Sequence, residues 1–307
     1  MSIDELRPIS PERLRRVRWK GKRAYRILSH ACSVRWNLGF NVEPLDEMWR
    51  GFEVPWDEYT VRNSGTQDGV VAYSLVDLGP RDPRRYRLLV NDEESIIARR
   101  PNDLLNHLVW HMSRMPEQTE DFLLIHAGSV VTSAEEGVLL PADSGSGKTT
   151  LVAALIRAGF GFLSDEIGVI DHHAGLLRPY PRALNFKRGS ERLFPDLWPP
   201  DEARTVPRGE GYLRADAIRP DVMAGSSELR FLIFPRYAEG AATEVAPLGA
   251  AHTLERLFAN TLNRKAYGGG RALPDLADVV REAKSYTIVS GDVQEAVQAL
   301  KEITGQT

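Results

Sequence analysis

Along the first hundred residues the apolar positions arrive in short runs rather than at helical spacing. Val70-Val71-Ala72-Tyr73-Ser74-Leu75 and Tyr86-Arg87-Leu88-Leu89-Val90 have the length and the β-branched or aromatic content of strands. Turn-forming groups separate such runs between Leu38 and Arg99: Asn63-Ser64-Gly65, Gln67-Asp68-Gly69, Gly79-Pro80 and Arg81-Asp82-Pro83. This pattern predicts a β-rich amino-terminal region. At Leu104, Leu105, Leu108, Val109 and Met112 the period becomes that of a helix, with Asn102 or Asp103 as its cap and Pro116 marking its end.

Downstream, strands and helices alternate. The residues predict a strand over 122–132, a turn at Ser133-Ala134-Glu135-Glu136-Gly137, a strand over 138–140, a glycine-rich loop, and a helix over 148–158 closed by Gly159. Strands over 160–164 and 167–171 follow, then a turn at His172-His173-Ala174-Gly175. From Leu176 to about Asp221 the chain is rich in Pro and Arg and shows no period. Beyond it the pattern predicts a strand over 230–235, a helix over 253–263 with Leu254, Leu257, Phe258 and Leu262 on one side, and a strand over 286–289. Asp292 followed by Glu295 has the form of a capping box, opening a last amphipathic helix on Val293, Ala296, Val297, Leu300 and Ile303. The sum is a mixed α/β (α+β) chain in two domains, β-rich over 1–115 and α/β over 116–307, with no internal repeat.

Composition narrows the class. A chain of 307 residues that is 42% hydrophobic has the apolar mass for packed cores, which excludes a disordered or fibrous protein. Lys and Arg number 39 against 42 acids, for a net charge of −3, so nucleic acid is not the expected partner. The single cysteine, Cys32, can make neither an internal disulfide nor a Cys-rich zinc site, and a lone thiol fits a reducing compartment. No apolar run approaches the roughly 20 residues of a membrane span, and the first residues lack a signal-peptide core. The expectation is a soluble cytoplasmic protein with no membrane partner.

One stretch departs from this neutrality. Residues 12 to 35 carry Arg13, Arg15, Arg16, Arg18, Lys20, Lys22, Arg23, Arg26 and Arg35 against the one acid Glu12, with Trp19 and Tyr25 among them. A solvated charged face is the expected reading, ahead of a site for an acidic peptide or another polyanion.

The chemistry concentrates at Ala142-Asp143-Ser144-Gly145-Ser146-Gly147-Lys148-Thr149-Thr150, between a predicted strand and a predicted helix, which is the context of a phosphate-binding P-loop. Ala142 stands where the motif usually has its first glycine. Gly145 and Gly147 permit the positive φ angles that turn successive N–H groups inward at the positive end of the helix. Ser144, Gly145, Ser146, Gly147, Lys148, Thr149 and Thr150 are the expected nucleotide contacts. Lys148 would reach the β- and γ-phosphates, and the Thr149 hydroxyl would ligate Mg²⁺.

Two carboxylates return to this loop. The helix carries the chain away by ~16 Å at ~1.5 Å per residue, and the next strand brings it back at ~3.3 Å per residue. Asp165 and Glu166 therefore land beside the loop, where one carboxylate can hold Mg²⁺ and one can accept the proton of an attacking hydroxyl. With the hairpin turn centred near Ala134 or Glu135, His126 falls opposite Asp143 or Ser144, where it could contact phosphate or relay a proton.

The series His126-Ala127-Gly128, Asp143 to Thr149, Arg157-Ala158-Gly159 and Leu163-Ser164-Asp165-Glu166-Ile167-Gly168-Val169 resembles the catalytic core of HPr kinase/phosphorylase, and more narrowly the HprK-related kinase A group. The resemblance is strongest over 121–171. It implies a P-loop kinase core of the HPr kinase/phosphoenolpyruvate carboxykinase type, ATP with Mg²⁺ as donor, and a serine hydroxyl of a protein or peptide as acceptor. It makes Lys148 and Thr149 phosphate and metal ligands, Asp165 metal-associated or the base, Glu166 the second acid, and His126 part of the γ-phosphate site. True HPr kinases typically carry Asp at the position of Glu166, so the identity of the base stays open. The glycine-rich signature tied to their phosphorylase activity has no counterpart here, where the chain reads Arg178-Pro179-Tyr180-Pro181-Arg182-Ala183-Leu184-Asn185-Phe186-Lys187-Arg188.

Arg182 and Lys187 in that segment are the expected cations for the transferring phosphoryl group. Relatives of this group that occur beside peptide-modifying genes permit a biosynthetic precursor peptide as substrate, and the oligomers of HPr kinases proper are the basis for expecting a homo-oligomer. A serine/threonine kinase of a small protein or peptide is the leading expectation. A small-molecule kinase of the same fold and a non-catalytic ATP-binding scaffold are the alternatives.

Overall fold

The computed structural model describes residues 9–37, 39, 43–57, 70–82, 85–143, 145–187, 189–197 and 211–306. The expected turns at Asn63-Ser64-Gly65 and Gln67-Asp68-Gly69, and Pro83 of a third, lie outside them. Contacts divide the chain into two units, Met1–Asp46 with Phe52–Pro116, and Glu47–Gly51 with Glu117–Thr307.

The first unit begins with α1 (Pro11–Arg15), whose cap Ser10 accepts from the Arg13 amide. The hairpin β1 (Gly21–Ile27) and β2 (His30–Trp36) follows, then α2 (Glu43–Trp49), which the two units share. With β3 (Glu53–Val54), β4 (Val70–Asp77), β5 (Tyr86–Val90) and β6 (Glu93–Ala98) the hairpin builds a six-stranded sheet in the order β3-β1-β2-β4-β5-β6. Only the β2–β4 pairing is parallel among these described strands. The helix α3 (Pro101–Arg114) packs on β5 and β6 through Leu104, Leu108 and Met112. Its cap is Arg100 rather than Asn102 or Asp103, because the fixed φ of Pro101 already suits the first helical position.

The basic stretch is the β1–β2 hairpin with its approach, strands that the charge pattern concealed. Tyr25, Ile27, Cys32 and Val34 face inward and are fully buried. Three of these cations pair with acids: Arg13 with Asp82 at 3.0 Å, Arg23 with Asp46 and Glu53 at 3.2 Å, and Arg35 with Asp92 at 2.6 Å. Lys22 and Arg35 lie over the Trp56 and Trp19 rings. Burial pushes the Cys32 thiol up to about 12, so it stays protonated and unreactive.

The second unit is built on an eight-stranded sheet whose order runs β11-β10-β7-β8-β14-β16-β15, with β9 also paired to β7. In chain order these strands are β7 (Leu123–Val131), β8 (Glu136–Pro141), β9 (Gly161–Ser164), β10 (Ile167–Asp171), β11 (Leu176–Arg178), β14 (Ser227–Tyr237), β15 (Glu244–Pro247) and β16 (Lys284–Ser290). A separate pair, β12 (Leu184–Phe186) and β13 (Gly211–Leu213), comes from the stretch that showed no period. The helices are α4 (Lys148–Arg157), the short α5 (Ala215–Ile218), α6 (Ala250–Ala259), α7 (Ala272–Glu282) and α8 (Val293–Thr304).

Strand alternation divides the core into two layers. Val138, Leu140, Phe231 and Ile233 face α4 and α8 on one side, while Leu139, Leu232 and Phe234 face α6 and α7 on the other. Burying both faces explains why these strands read as continuous apolar runs. Strands β8, β14 and β16 are mutually parallel, so their carboxyl ends emerge at one edge. Strand β7 is antiparallel to β8, and β10 to β7.

Three expectations shift. The register Val131↔Gly137 centres the hairpin turn on Ala134 and puts Ala142 opposite His126, one residue earlier than expected. The helix expected over 253–263 begins at Ala250 and ends at Ala259, and α7 was not foreseen. Asp292 does cap α8 through the Gln294 and Glu295 amides, but the Glu295 carboxylate accepts from Thr243 instead of reaching back, so only half of the capping box forms.

Candidate functional site

The loop from Ala142 to Gly147 leaves the end of β8 and enters α4. Gly145 and Gly147 have φ of 90° and 87°, the left-handed values that a side chain would strain. Gly147 caps the helix without a side-chain hydrogen bond, and no acid occupies the first turn. The positive end of α4 thus carries no acid on its own first turn. Ser144 lies outside the described residues.

Behind this loop sit charges that are costly to bury. Lys148 is 6% exposed, and its Nζ has no hydrogen-bond partner. Burial pulls its pKa below the ordinary value, against the attraction of Asp165 and Glu166. Asp165, delivered by β9, is 2% exposed; its Oδ2 accepts from the Thr149 hydroxyl at 2.9 Å, and its Oδ1 is unpartnered. Burial raises the Asp165 pKa to about 6, with Lys148 and the Thr149 hydrogen bond opposing the rise. The buried Ser146 hydroxyl is also unpartnered.

Glu166 follows on the chain toward β10 and is 42% exposed, and its Oε1 lies 3.6 Å from His126 Nε2 on β7. That is beyond a hydrogen bond but close enough for charge to be felt. Burial and the nearby Lys148 charge lower the His126 pKa, so the imidazole is neutral at pH 7.

These groups surround a cavity of about 610 Å³. Its wall includes His126, Asp143, Glu166, Lys187 and the loop from Gly145 through Thr150, which brings together most of the residues expected from sequence. Arg182 is not in the wall. Its guanidinium lies over the Trp49 and Tyr212 rings and donates to Met48 Sδ at 3.6 Å, because the chain between β11 and β12 turns that side chain into an aromatic cage. Asp165 is also not part of the wall and acts on the cavity through Thr149.

The structure adds residues that sequence reasoning missed. Arg236 and Tyr237, at the end of β14, Ser290, at the end of β16, and Gly291 after it join the wall with Ile288, Val293 and Ala296. In the sequence they sit one or two positions past predicted strand ends. Nothing local says that those ends lie beside the glycine-rich loop.

A bound polyanion would meet a helix start with no side-chain cap and a buried ammonium. For a divalent cation, an orphaned carboxylate oxygen and an adjacent hydroxyl form a hard oxygen donor set that suits Mg²⁺ sharing its shell with phosphate and water. Among the described residues no group of three or more His, Cys, Asp or Glu side chains is placed to hold a metal by itself. Nor is any described helix long and apolar enough to cross a membrane.

No family model matches the chain. No curated protein matches it either. Among solved structures it is similar to the Hpr(Ser) kinase/phosphatase from Coxiella burnetii, at 12% identity and a TM-score of 0.29, over 59% of this chain and 95% of that one. A likeness at that level leaves the functional reading to the geometry of the site.

Proposed function

We propose that this chain is an ATP-dependent kinase that transfers the γ-phosphate to a serine or threonine hydroxyl of a small protein or peptide. The observation that carries this reading is the unpartnered Nζ of buried Lys148 at the uncapped start of α4, backed by the Thr149–Asp165 pair. A fold sustains such a buried charge where an anion completes it. Thr149 and Asp165 would hold Mg²⁺, which neutralises phosphate charge when bound.

In the transfer, the acceptor oxygen bonds to the γ-phosphorus while the bond from that phosphorus to the β,γ-bridging oxygen breaks, and ADP leaves with the electron pair. The hydroxyl proton goes to a carboxylate. Glu166 is the better placed of the two acids, because it lines the cavity whereas Asp165 is buried and bonded to Thr149. Neutral His126 can donate to phosphate oxygen, and Lys187, in the same wall, supplies positive charge.

The acceptor end supports a macromolecular substrate over a small molecule. The Glu166 side chain is 42% exposed and Lys187 is exposed, so a hydroxyl carried on a peptide can reach the γ-phosphate.

The two acids can be separated kinetically. Glu166→Gln is expected to bind Mg²⁺-ATP within a few-fold of wild type and to lose roughly 10²- to 10⁴-fold in kcat, the usual worth of a general base. Asp165→Asn is expected to weaken Mg²⁺-dependent ATP binding together with the rate. Retained kcat in Glu166→Gln would assign the base elsewhere.

A further inference from the structure

The strand order makes the cavity two-ended. Strand β8 delivers the glycine-rich loop at the middle. On one side of it β7 and β10 bring His126 and Glu166. On the other side the parallel strands β14 and β16 end in Tyr237 and Ser290. His126 and Glu166 lie toward β10, whereas toward β16 the apolar Pro235, Ile288, Val293 and Ala296 join Arg236 and Asp292 in the wall. Ligands of open α/β sheets sit outside the carboxyl ends of parallel strands, where this second half lies.

Tyr237 stands out there. It is 57% exposed, a large aromatic surface left to solvent at the wall of a cavity. Its backbone is held in place, because its N–H donates to the Ser146 carbonyl at 3.3 Å. Gly147 lies directly against it: a Cβ at Gly147 would stand 3.4 Å from the Tyr237 Cβ. The backbone that carries the aromatic ring is therefore anchored to the loop that would hold the phosphates.

Ser290 and Asp292 are already engaged within the fold, whereas Arg236, exposed beside Tyr237, also lines the wall. Ser290 Oγ bonds with Thr243 and with the Asp292 carbonyl, and Asp292 Oδ1 accepts the Gln294 and Glu295 amides. What this end offers a ligand is a flat ring and aliphatic surface with one guanidinium beside them, surroundings that suit a planar group with polar edges.

We propose that Tyr237 is the stacking platform for the nucleobase of the bound nucleotide, with Ile288, Val293 and Ala296 beneath, so that the triphosphate runs across the loop with its γ-end toward His126 and Glu166. This rests on the nucleotide reading above and fixes the direction in which the nucleotide lies. An aromatic side chain of the acceptor is the competing occupant of the same ring.

The test compares ATP with inorganic triphosphate, which has the phosphates and no base. Binding of each in the presence of Mg²⁺ is measured by calorimetry on the full chain as wild type, Tyr237→Ala and Tyr237→Phe. Tyr237→Ala is expected to weaken ATP roughly tenfold to a hundredfold, the worth of one base–aromatic stack, and to leave triphosphate within about twofold. Tyr237→Phe keeps the ring and restores ATP affinity. Unchanged ATP affinity in Tyr237→Ala overturns the inference, as does an equal loss for triphosphate, which would mean that the loop itself was disturbed. A KM increase for the acceptor alone would assign the ring to the acceptor and overturn it too. Wild-type chain that binds neither ATP nor triphosphate would instead bring down the nucleotide reading itself.

Discussion

Lys148 and Asp165 are charged groups withheld from water without a full set of hydrogen-bond partners. Asp165 shows the cost most clearly. Its pKa of about 6 in the folded chain, against ~3.9 for an unfolded Asp, means that the folded state binds the proton more tightly. Its contribution to stability is therefore present at low pH and lost as pH rises from about 4 through 6, leaving a penalty of about 3 kcal/mol at pH 7. Asp165→Asn removes the charge and keeps an acceptor for Thr149. The nucleotide-free variant is expected to be more stable than wild type by about 1–3 kcal/mol at pH 7.5, with the gain shrinking toward pH 4.5. Thermal or urea unfolding at the two pH values checks it, and a destabilised variant at pH 7.5 would contradict it. At this scale the sequence was informative where spacing is local: the loop, Lys148, Thr149 and the two acids are fixed by one strand–loop–helix–strand unit. It misled at Arg182, because five residues from Lys187 the chain turns the guanidinium into the Trp49 and Tyr212 rings instead of the cavity.

Among the elements, α4 and β7 are fitted to each other at Gly128. A Cβ there would meet Val152 Cγ2 at 2.6 Å and Lys148 Cγ at 3.4 Å, so the helix that carries Lys148 rests directly on bare backbone. Gly128→Val is expected to destabilise the fold by roughly 1–3 kcal/mol through overpacking and to weaken ATP binding by displacing the start of α4. Urea midpoints and ATP affinity test this, and a variant unchanged in both would contradict the packing. Elements with both faces buried, or with a strong terminal signal, were legible: the expected strand over 167–171 coincides with β10, and Asp292 caps α8 as expected. The β1–β2 hairpin was obscured because one face of it carries the Arg and Lys side chains that pair with acids from distant positions, such as Asp46 and Asp92. Strands β12 and β13 are three residues each and pair across a long sequence separation, so no period marks them.

On the scale of the whole molecule, what sequence cannot supply is strand order. The neighbours of β8 are β7, 5 residues earlier in chain, and β14, which begins only at Ser227. The first neighbour follows from a hairpin and was expected, bringing His126 to the loop. The second requires a crossover of some ninety residues, read from the positions of the two strands, and brings Tyr237. The central claim is that this assembly moves phosphate from ATP to a hydroxyl on a peptide. The most direct measurement incubates the full chain with Mg²⁺-ATP and serine-bearing peptides or an HPr protein, and reads intact mass, with Lys148→Ala in parallel. The account predicts an acceptor heavier by one phosphate with wild type and none with Lys148→Ala. Equal transfer by Lys148→Ala, or tight ATP binding by wild type with no transfer to any peptide acceptor, would contradict it.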